Sequence, residues 1–275
     1  MRLRLVLVPL VVLGVLVGPA CGGDGGREPV AVVTAASTKT VAAKTSRVAL
    51  NVDVEDKAAP GGSRKIAGDG AFDFTTGHGT IDLDTAGLGL PGVSGKIQLV
   101  SLGQELYLQV PAGFGLGKPW LKFDLDALGQ SGGFGMAGLQ ELSSNDPSAN
   151  LRYLQGAKDV EERGEEKVRG VDTTRYHFIV DLEAAKTKVA ADQRDGIDRL
   201  IKLLGRSTYP AEAWVDGDDQ IRRLRATIPG KGGTGGSVAT QEFYDFGVKV
   251  EAAAPPADQV ADFAQLLQAA GQAPG

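Results

Sequence analysis

The chain has 275 residues, 29 basic and 34 acidic side chains, a net charge of −5, 39 glycines and one cysteine. The acidic balance excludes a general nucleic-acid binder, which needs a basic face to release counterions, and a lone cysteine excludes an internal disulfide framework. With two histidines in all, there is little material for acid–base catalysis near neutral pH.

Arg2 and Arg4, the apolar run 5–17 and the small residues Gly18-Pro19-Ala20 read as an export signal. The run is too short to cross a bilayer, which takes about 20 apolar residues, and Pro9 and Gly14 weaken it further as a helix. Residues 1–20 are therefore expected to be removed, taking two basic charges and moving the net charge from −5 to −7. Two outcomes are open for Cys21. A general signal peptidase would leave an odd free thiol in an oxidising compartment. Alternatively, Gly18-Pro19-Ala20-Cys21 resembles the lipobox of bacterial lipoproteins, whose cysteine carries a diacylglyceryl group and becomes the first mature residue. The motif prefers Leu three residues before the cysteine and Ala or Ser two before, where this chain has Gly18 and Pro19. The absence of any other cysteine favours lipidation at Cys21. Two or more acyl chains, at roughly 0.8 kcal/mol per buried methylene, make a stable anchor. Residues 21–29, with Gly22-Gly23-Asp24-Gly25-Gly26, are then a flexible tether, and 30–275 a single domain outside the cytoplasm at the cell membrane.

Along that domain, the Ala- and Thr-rich stretch 30–45 has Val33, Ala36, Thr40 and Val41 at helical spacing. Residues 46–55 alternate, with Val48, Leu50, Val52 and Val54 on one face, as a half-buried antiparallel strand does. Residues 66–74 repeat the pattern with Phe72 and Phe74, and 79–83 add Ile81 and Leu83. Strands are expected at 96–102 and 105–110, the latter with Leu106, Leu108 and Val110, and a short extended piece at 120–123. Asp146-Pro147 starts a helix that ends at Gly156. Hairpins are expected at 159–168 with 172–182, around Arg169-Gly170, and at 209–215 with 221–228. Between them, 183–204 reads as a charged amphipathic helix interrupted at Gly196. A strand over 238–250 and a helix over 257–270 complete an α+β order. The glycines cluster at 86–95, 113–117, 129–138 and 229–236, as loops between strands would.

Chemical motifs are weak. His78 sits in a Gly77-His78-Gly79 turn and His177 on an alternating strand, where a solvated structural role is the simpler reading. Gly87-Leu88-Gly89-Leu90-Pro91-Gly92 matches a dinucleotide fingerprint in letters, but Pro91 and the strand that follows do not suit a phosphate-receiving helix. Asp216-Gly217-Asp218-Asp219 begins like a calcium loop, yet Thr227 stands where a bidentate glutamate belongs. No cofactor or metal site is expected, and no catalytic residue.

A set of segments resembles the LppX/LprAFG family of actinobacterial lipoproteins, whose fold is similar to the lipoprotein carrier LolA. It comprises the lipobox-like start, the Ala/Thr helix, the Val48–Val54 strand and Leu106-Tyr107-Leu108-Gln109-Val110-Pro111. Further on come Lys118-Pro119-Trp120-Leu121-Lys122-Phe123-Asp124, Asp146-Pro147 with Leu151 and Leu154, Arg169-Gly170-Val171-Asp172-Thr173-Thr174-Arg175-Tyr176 and Tyr209-Pro210-Ala211-Glu212-Ala213-Trp214-Val215-Asp216. The resemblance implies a strongly curved antiparallel sheet, a half-barrel, with helices on its concave face and an apolar cavity for the acyl chains of a lipid or glycolipid. Candidate lining residues are Val48, Leu50, Val52, Val54, Phe72, Phe74, Ile81, Leu83, Leu106, Leu108 and Val110, although for any one of them ordinary core packing is the simpler reading. Aromatics are only 6% of the chain, and a sheet lined by mid-sized aliphatics can leave space. The expectation is a monomeric, membrane-anchored lipid binder. A non-carrier interaction module on the same fold is the alternative, and a hydrolase of envelope lipid a third reading.

Overall fold

A computed structural model describes residues 27–57, 62–84, 86, 95–111, 117–124, 147–230 and 235–266. The signal, Cys21, most of the tether, Asp146 and the glycine-rich 129–138 lie outside the described residues. The first helix, α1 (Pro29–Ala42), has proline in its first turn, where a missing N–H costs nothing. Thr34, Ser37 and Thr40 return their hydroxyls to the carbonyls of Val30, Thr34 and Ala36. Its alanines and these folded-back hydroxyls leave a slim helix that buries Val33 and Ala36 completely.

The strands are β1 (Thr45–Glu55), β2 (Ser63–Asp73), β3 (His78–Asp84), β4 (Lys96–Leu102), β5 (Glu105–Gln109), β6 (Trp120–Asp124), β7 (Ala157–Val168), β8 (Val171–Asp181), β9 (Thr208–Asp216), β10 (Ile221–Pro229), β11 (Gly236–Tyr244) and β12 (Val260–Asp262). They form one curved sheet in the order β12-β6-β5-β4-β3-β2-β1-β11-β10-β9-β8-β7, with β12 and β7 as unjoined edges. The pairings are antiparallel except that of β12 with β6. Between strands lie α2 (Pro147–Tyr153) with a 3-10 turn (Leu154–Gly156), α3 (Leu182–Lys186) and α4 (Ala191–Leu204).

Directly opposed residues in a sheet share a face, so the apolar alternation can be followed from strand to strand. Val48, Leu50, Val52 and Val54 oppose Phe243, Gln241, Ala239 and Ser237 of β11. On the other flank Gly68 and Gly70 of β2 oppose Leu83 and Ile81, which lead through Ile97 and Leu99 to Leu108 and Leu121. This face carries two core clusters. In the larger, α1, α2, α3 and α4 contribute Val33, Leu151, Ala185 and Ile197 over Val48, Phe72, Phe178 and Phe243. The smaller joins Ile81, Leu83, Leu99, Leu106 and Phe123 with partly buried Phe263 from the C-terminal segment, and the Phe123 and Phe263 rings stand 5.1 Å apart.

Gly70 permits an unusually close approach. A Cβ there would lie 1.8 Å from the Thr80 carbonyl oxygen, whereas opposed Cβ atoms in a regular ladder are about 4.5–5.5 Å apart. Across the same pair, the Phe72 ring fills the space over Gly79, with a Cβ at Gly79 falling 2.4 Å from Phe72 Cδ2. Glycine is the residue that lets a strand coil this tightly on its neighbour.

Three expected elements differ. Of the helix expected over 257–270, the first part is instead a 3-10 turn (Ala257–Gln259) followed by β12, because Val260–Asp262 pairs with Trp120–Lys122 and covers the open edge of β6; residues 263–266 are helical, and 267–270 lie outside the described residues. The helix expected over 183–204 breaks at Thr187, not at Gly196. Thr187 donates its N–H and hydroxyl to the Ala184 carbonyl and closes α3, while Gly196 lies inside α4 in open surroundings. The strand expected over 238–250 ends at Tyr244.

Candidate functional site

The two ends of the strands are unlike. Tight connections join β2 to β3, β4 to β5, β7 to β8 and β9 to β10 at one end. At the other end, the connections between β1 and β2, β3 and β4, β5 and β6, and β10 and β11 pass through residues outside those described. α1 is fixed at the tight-turn end. Thr40 Oγ1 accepts the Ile221 N–H at 2.8 Å, and Arg27 Nη1 donates to Asp219 in the β9–β10 turn at 3.0 Å. Gln155 ties the helix down from the other side, its Nε2 donating to Ser37 Oγ at 2.8 Å and to the Thr34 carbonyl at 3.1 Å.

Toward the other end, a cavity of about 80 Å³ lies between the sheet and α2 and α4. Its floor follows from the register. Ala211, Ala226 and Ala239 are directly opposed on β9, β10 and β11, and all three line the cavity. In a half-buried sheet these positions ordinarily hold Val, Ile or Leu; three alanines in one cross-strand row withdraw that side-chain volume. Asn150 and Leu154 on one side and Leu200 and Leu204 on the other form the helical walls. Burial decreases along the floor: Leu224 and Gln241 are buried, whereas Ile228 and Ser237 are half-buried at the end away from the β9–β10 turn. Along β10 and β11 the cavity is therefore deeper under Leu224 and Gln241, while Val180 and Tyr209 on β8 and β9 stay buried.

The lining holds no charged side chain. Its polar groups are Asn150, Tyr209, Ser237 and Gln241, and Asn150 Nδ2 donates to Gln241 Oε1 at 3.3 Å. Burial pushes the Tyr209 phenol well above its ordinary pKa, with Tyr153 adding to the shift, so it remains a neutral O–H.

None of the sequence candidates lines this cavity, although they mark the face on which it lies. Leu50 and Val52 are buried directly beside its floor residues Gln241 and Ala239, and Val54 is half-buried beside Ser237. Val48, Phe72 and Phe74 pack in the larger cluster. Ile81, Leu83 and Leu106 belong to the smaller one, with Leu108 and Val110 packed against it. The missed signal was the alanine row, visible in sequence only once the register of β9, β10 and β11 is known.

The opposite face carries charge. Trp214 is buried there between the guanidinium groups of Arg175 and Arg223, 5.3 and 5.1 Å from its ring, and its Nε1 donates to Glu166 at 2.8 Å. His177 shares that face, 3.9 Å from Glu212, while His78 is exposed at the start of β3. Among the described residues no group of three or more His, Cys, Asp and Glu could hold a metal, and no helix is long and apolar enough to cross a membrane.

No protein-family model matches the chain. It is 29% identical over 163 residues to an uncharacterized 31.2 kDa protein of Streptomyces griseus, covering 58% of this chain and 53% of that protein. It is 28% identical over 158 residues, 56% of this chain and 46% of the other, to a Streptomyces coelicolor protein provisionally named a lipoprotein. The chain thus spans about half the length of the curated relatives it matches. Among solved structures it is similar to the lipoprotein LppX of Mycobacterium tuberculosis, at 15% identity and a TM-score of 0.47 over 81% of this chain and 98% of that one. It is also similar to LprF of Mycobacterium bovis, at 11% identity and a TM-score of 0.45 over 84% and 98%.

Proposed function

We propose that the protein is an extracytoplasmic lipoprotein, anchored through acylated Cys21, that holds an acyl chain of a lipid or glycolipid between sheet and helices and carries or presents it without covalent chemistry. The observation that carries this reading is the uncharged cavity floored by the Ala211, Ala226 and Ala239 row. In this reading the concave side of the sheet is the face the helices cover. Anchoring rests on the lipobox-like Gly18-Pro19-Ala20-Cys21 and on the lipoprotein name of the Streptomyces coelicolor relative. The chain enters the domain at Arg27, beside the β9–β10 turn, and six residues span at most about 20 Å. A membrane anchor at Cys21 would therefore hold the tight-turn end near the bilayer and direct the shallower end of the cavity away from it.

The cavity's size favours a second reading. At about 80 Å³ it is well below the roughly 300–1,000 Å³ of drug-sized ligand pockets, so a whole multi-chain lipid requires the helices to move apart. A module that binds another protein would need no such opening. Native mass spectrometry of the purified protein, with and without Ala226→Phe, separates the two. For a carrier, co-purified lipid is present in the wild type and lost in the variant, while melting stays near the wild type because the ring enters empty space. Lipid absent from both, with the variant destabilised by the roughly 1–3 kcal/mol of an overpacked core, would support the interaction module. Anchoring is tested by palmitate labelling, which Cys21→Ala should abolish.

A further inference from the structure

The deep end of the cavity holds a residue that packing alone does not call for. Gln241 lies on β11 between two leucines, Leu50 of β1 and Leu224 of β10, its registered neighbours. It is only 4% exposed and lines the cavity. Its Oε1 accepts one hydrogen bond, from Asn150 Nδ2, whereas its Nε2 donates to no protein group among the described residues. Rotating both amides by 180° would keep the bond between them and still leave N–H groups uncommitted. A largely apolar wall thus presents an uncommitted amide donor, oriented by Asn150, on the side of the cavity away from the half-buried Ile228 and Ser237.

We infer that Gln241 is the specificity-determining residue of the cavity, its Nε2 donating to the carbonyl oxygen of a neutral acyl ester. An N–H donor complements an acceptor-only group, which a carbonyl is. The charge of the lining decides between ester and free acid. No Lys, Arg or His stands among the lining residues, so a carboxylate or a phosphate headgroup at this depth would be a buried anion without a counter-charge. An ester presents the same carbonyl without that cost. Its chain would then run over Ala226 and Ala239 toward Ile228.

This rests on the lipid-binding reading, and the experiment keeps the two apart. The purified protein is titrated calorimetrically with methyl hexanoate, with hexyl methyl ether, which keeps the length and lacks the carbonyl, and with hexanoate. The ester should bind roughly tenfold tighter than the ether, the worth of one buried hydrogen bond, and hexanoate should bind more weakly than the ester. Gln241→Leu should bring the ester down to the ether and leave the ether unchanged. Leucine is close to glutamine in volume and removes an uncommitted amide, so the melting temperature should hold or rise; Gln241→Met, with the same expected loss of preference, provides a second variant. An ester-to-ether ratio that survives both substitutions, or hexanoate binding as tightly as the ester, overturns the role of Gln241. Equal binding of ester and ether, blocked by Ala226→Phe, would also overturn it while sustaining the lipid-binding reading. Failure of all three probes to bind would overturn both.

Discussion

Ser46 and Gly70 lie close together on the helix-covered face and have opposite tolerances. Ser46 is completely buried opposite Phe72, and its hydroxyl has no hydrogen-bond partner among the described residues. A buried orphan hydroxyl costs about 1–3 kcal/mol, so Ser46→Ala should stabilise the protein by about 1 kcal/mol and raise the melting temperature; a fall in calorimetry would mean that the hydroxyl is satisfied. At Gly70 a methyl group would meet the Thr80 carbonyl oxygen, a backbone atom that no rotamer change can move. Gly70→Ala should cost about 3 kcal/mol or more in urea unfolding, whereas Gly217→Ala, with nothing within 4 Å of its Cβ, should stay within about 0.5 kcal/mol. The alternation of β1 and β2 placed Val48, Leu50, Val52 and Phe72 on the buried face from sequence alone. It could not show that Gly68 and Gly70 face the same way for a steric reason, because the clash involves a strand whose register the chain order does not reveal.

At the scale of elements, local signals succeeded where each element meets solvent on one side. Periodicity and caps gave α1, β1 to β5 and both later hairpins to within a few residues. They failed where tertiary contact outweighs propensity. Val260–Asp262 has an apolar spacing compatible with a helix, yet the unpaired edge of β6 recruits it as a strand. Gly196 costs a helix about 1 kcal/mol, too little to break α4 when Ile197 beside it is fully buried. The β7–β8–β9 sheet has an electrostatic dependence of its own. The Glu166 carboxylate accepts from Trp214 Nε1 and from Arg223, and these hold its pKa below the usual glutamate value. A lowered folded-state pKa gives stability that is complete above about pH 4.3 and is lost as pH falls through the lowered value. Glu166→Gln should therefore show a shallower decline in melting temperature between about pH 5 and 3 than the wild type. Parallel declines would mean that the Trp214 bond does not discriminate between the charged and protonated carboxyl.

On the scale of the molecule, composition and strand count led to a large α+β sheet without disulfides, and the unclosed order from β12 to β7 agrees. The cavity was not legible at this scale, since it depends on three alanines far apart in sequence becoming neighbours through register. An open sheet of this size also has two edges to manage. β12 ends after three residues, and short edge strands give little template for pairing. β7 is long but carries Glu161, Glu162, Arg163, Glu165 and Glu166 in succession around Gly164, and its register shifts twice against β8. Replacing Glu161, Arg163 and Glu165 with threonine or valine should leave the fold intact and produce concentration-dependent oligomers in sedimentation, where the wild type should sediment as a monomer; monomeric variants would show that the bulges alone suffice.

The charged β7 edge gains significance from crowding. Proteins fixed to a surface diffuse in two dimensions, so copies meet at local concentrations that dilute solution never reaches, and they do so with their sheets held in similar orientation. Under those conditions a flat, bare β7 would grow by adding strands sideways from one copy to the next. For a protein anchored as proposed, the run of glutamates, kinked at Gly164, would make each encounter repulsive and geometrically mismatched, and so permit dense coverage of a membrane although the sheet is left open.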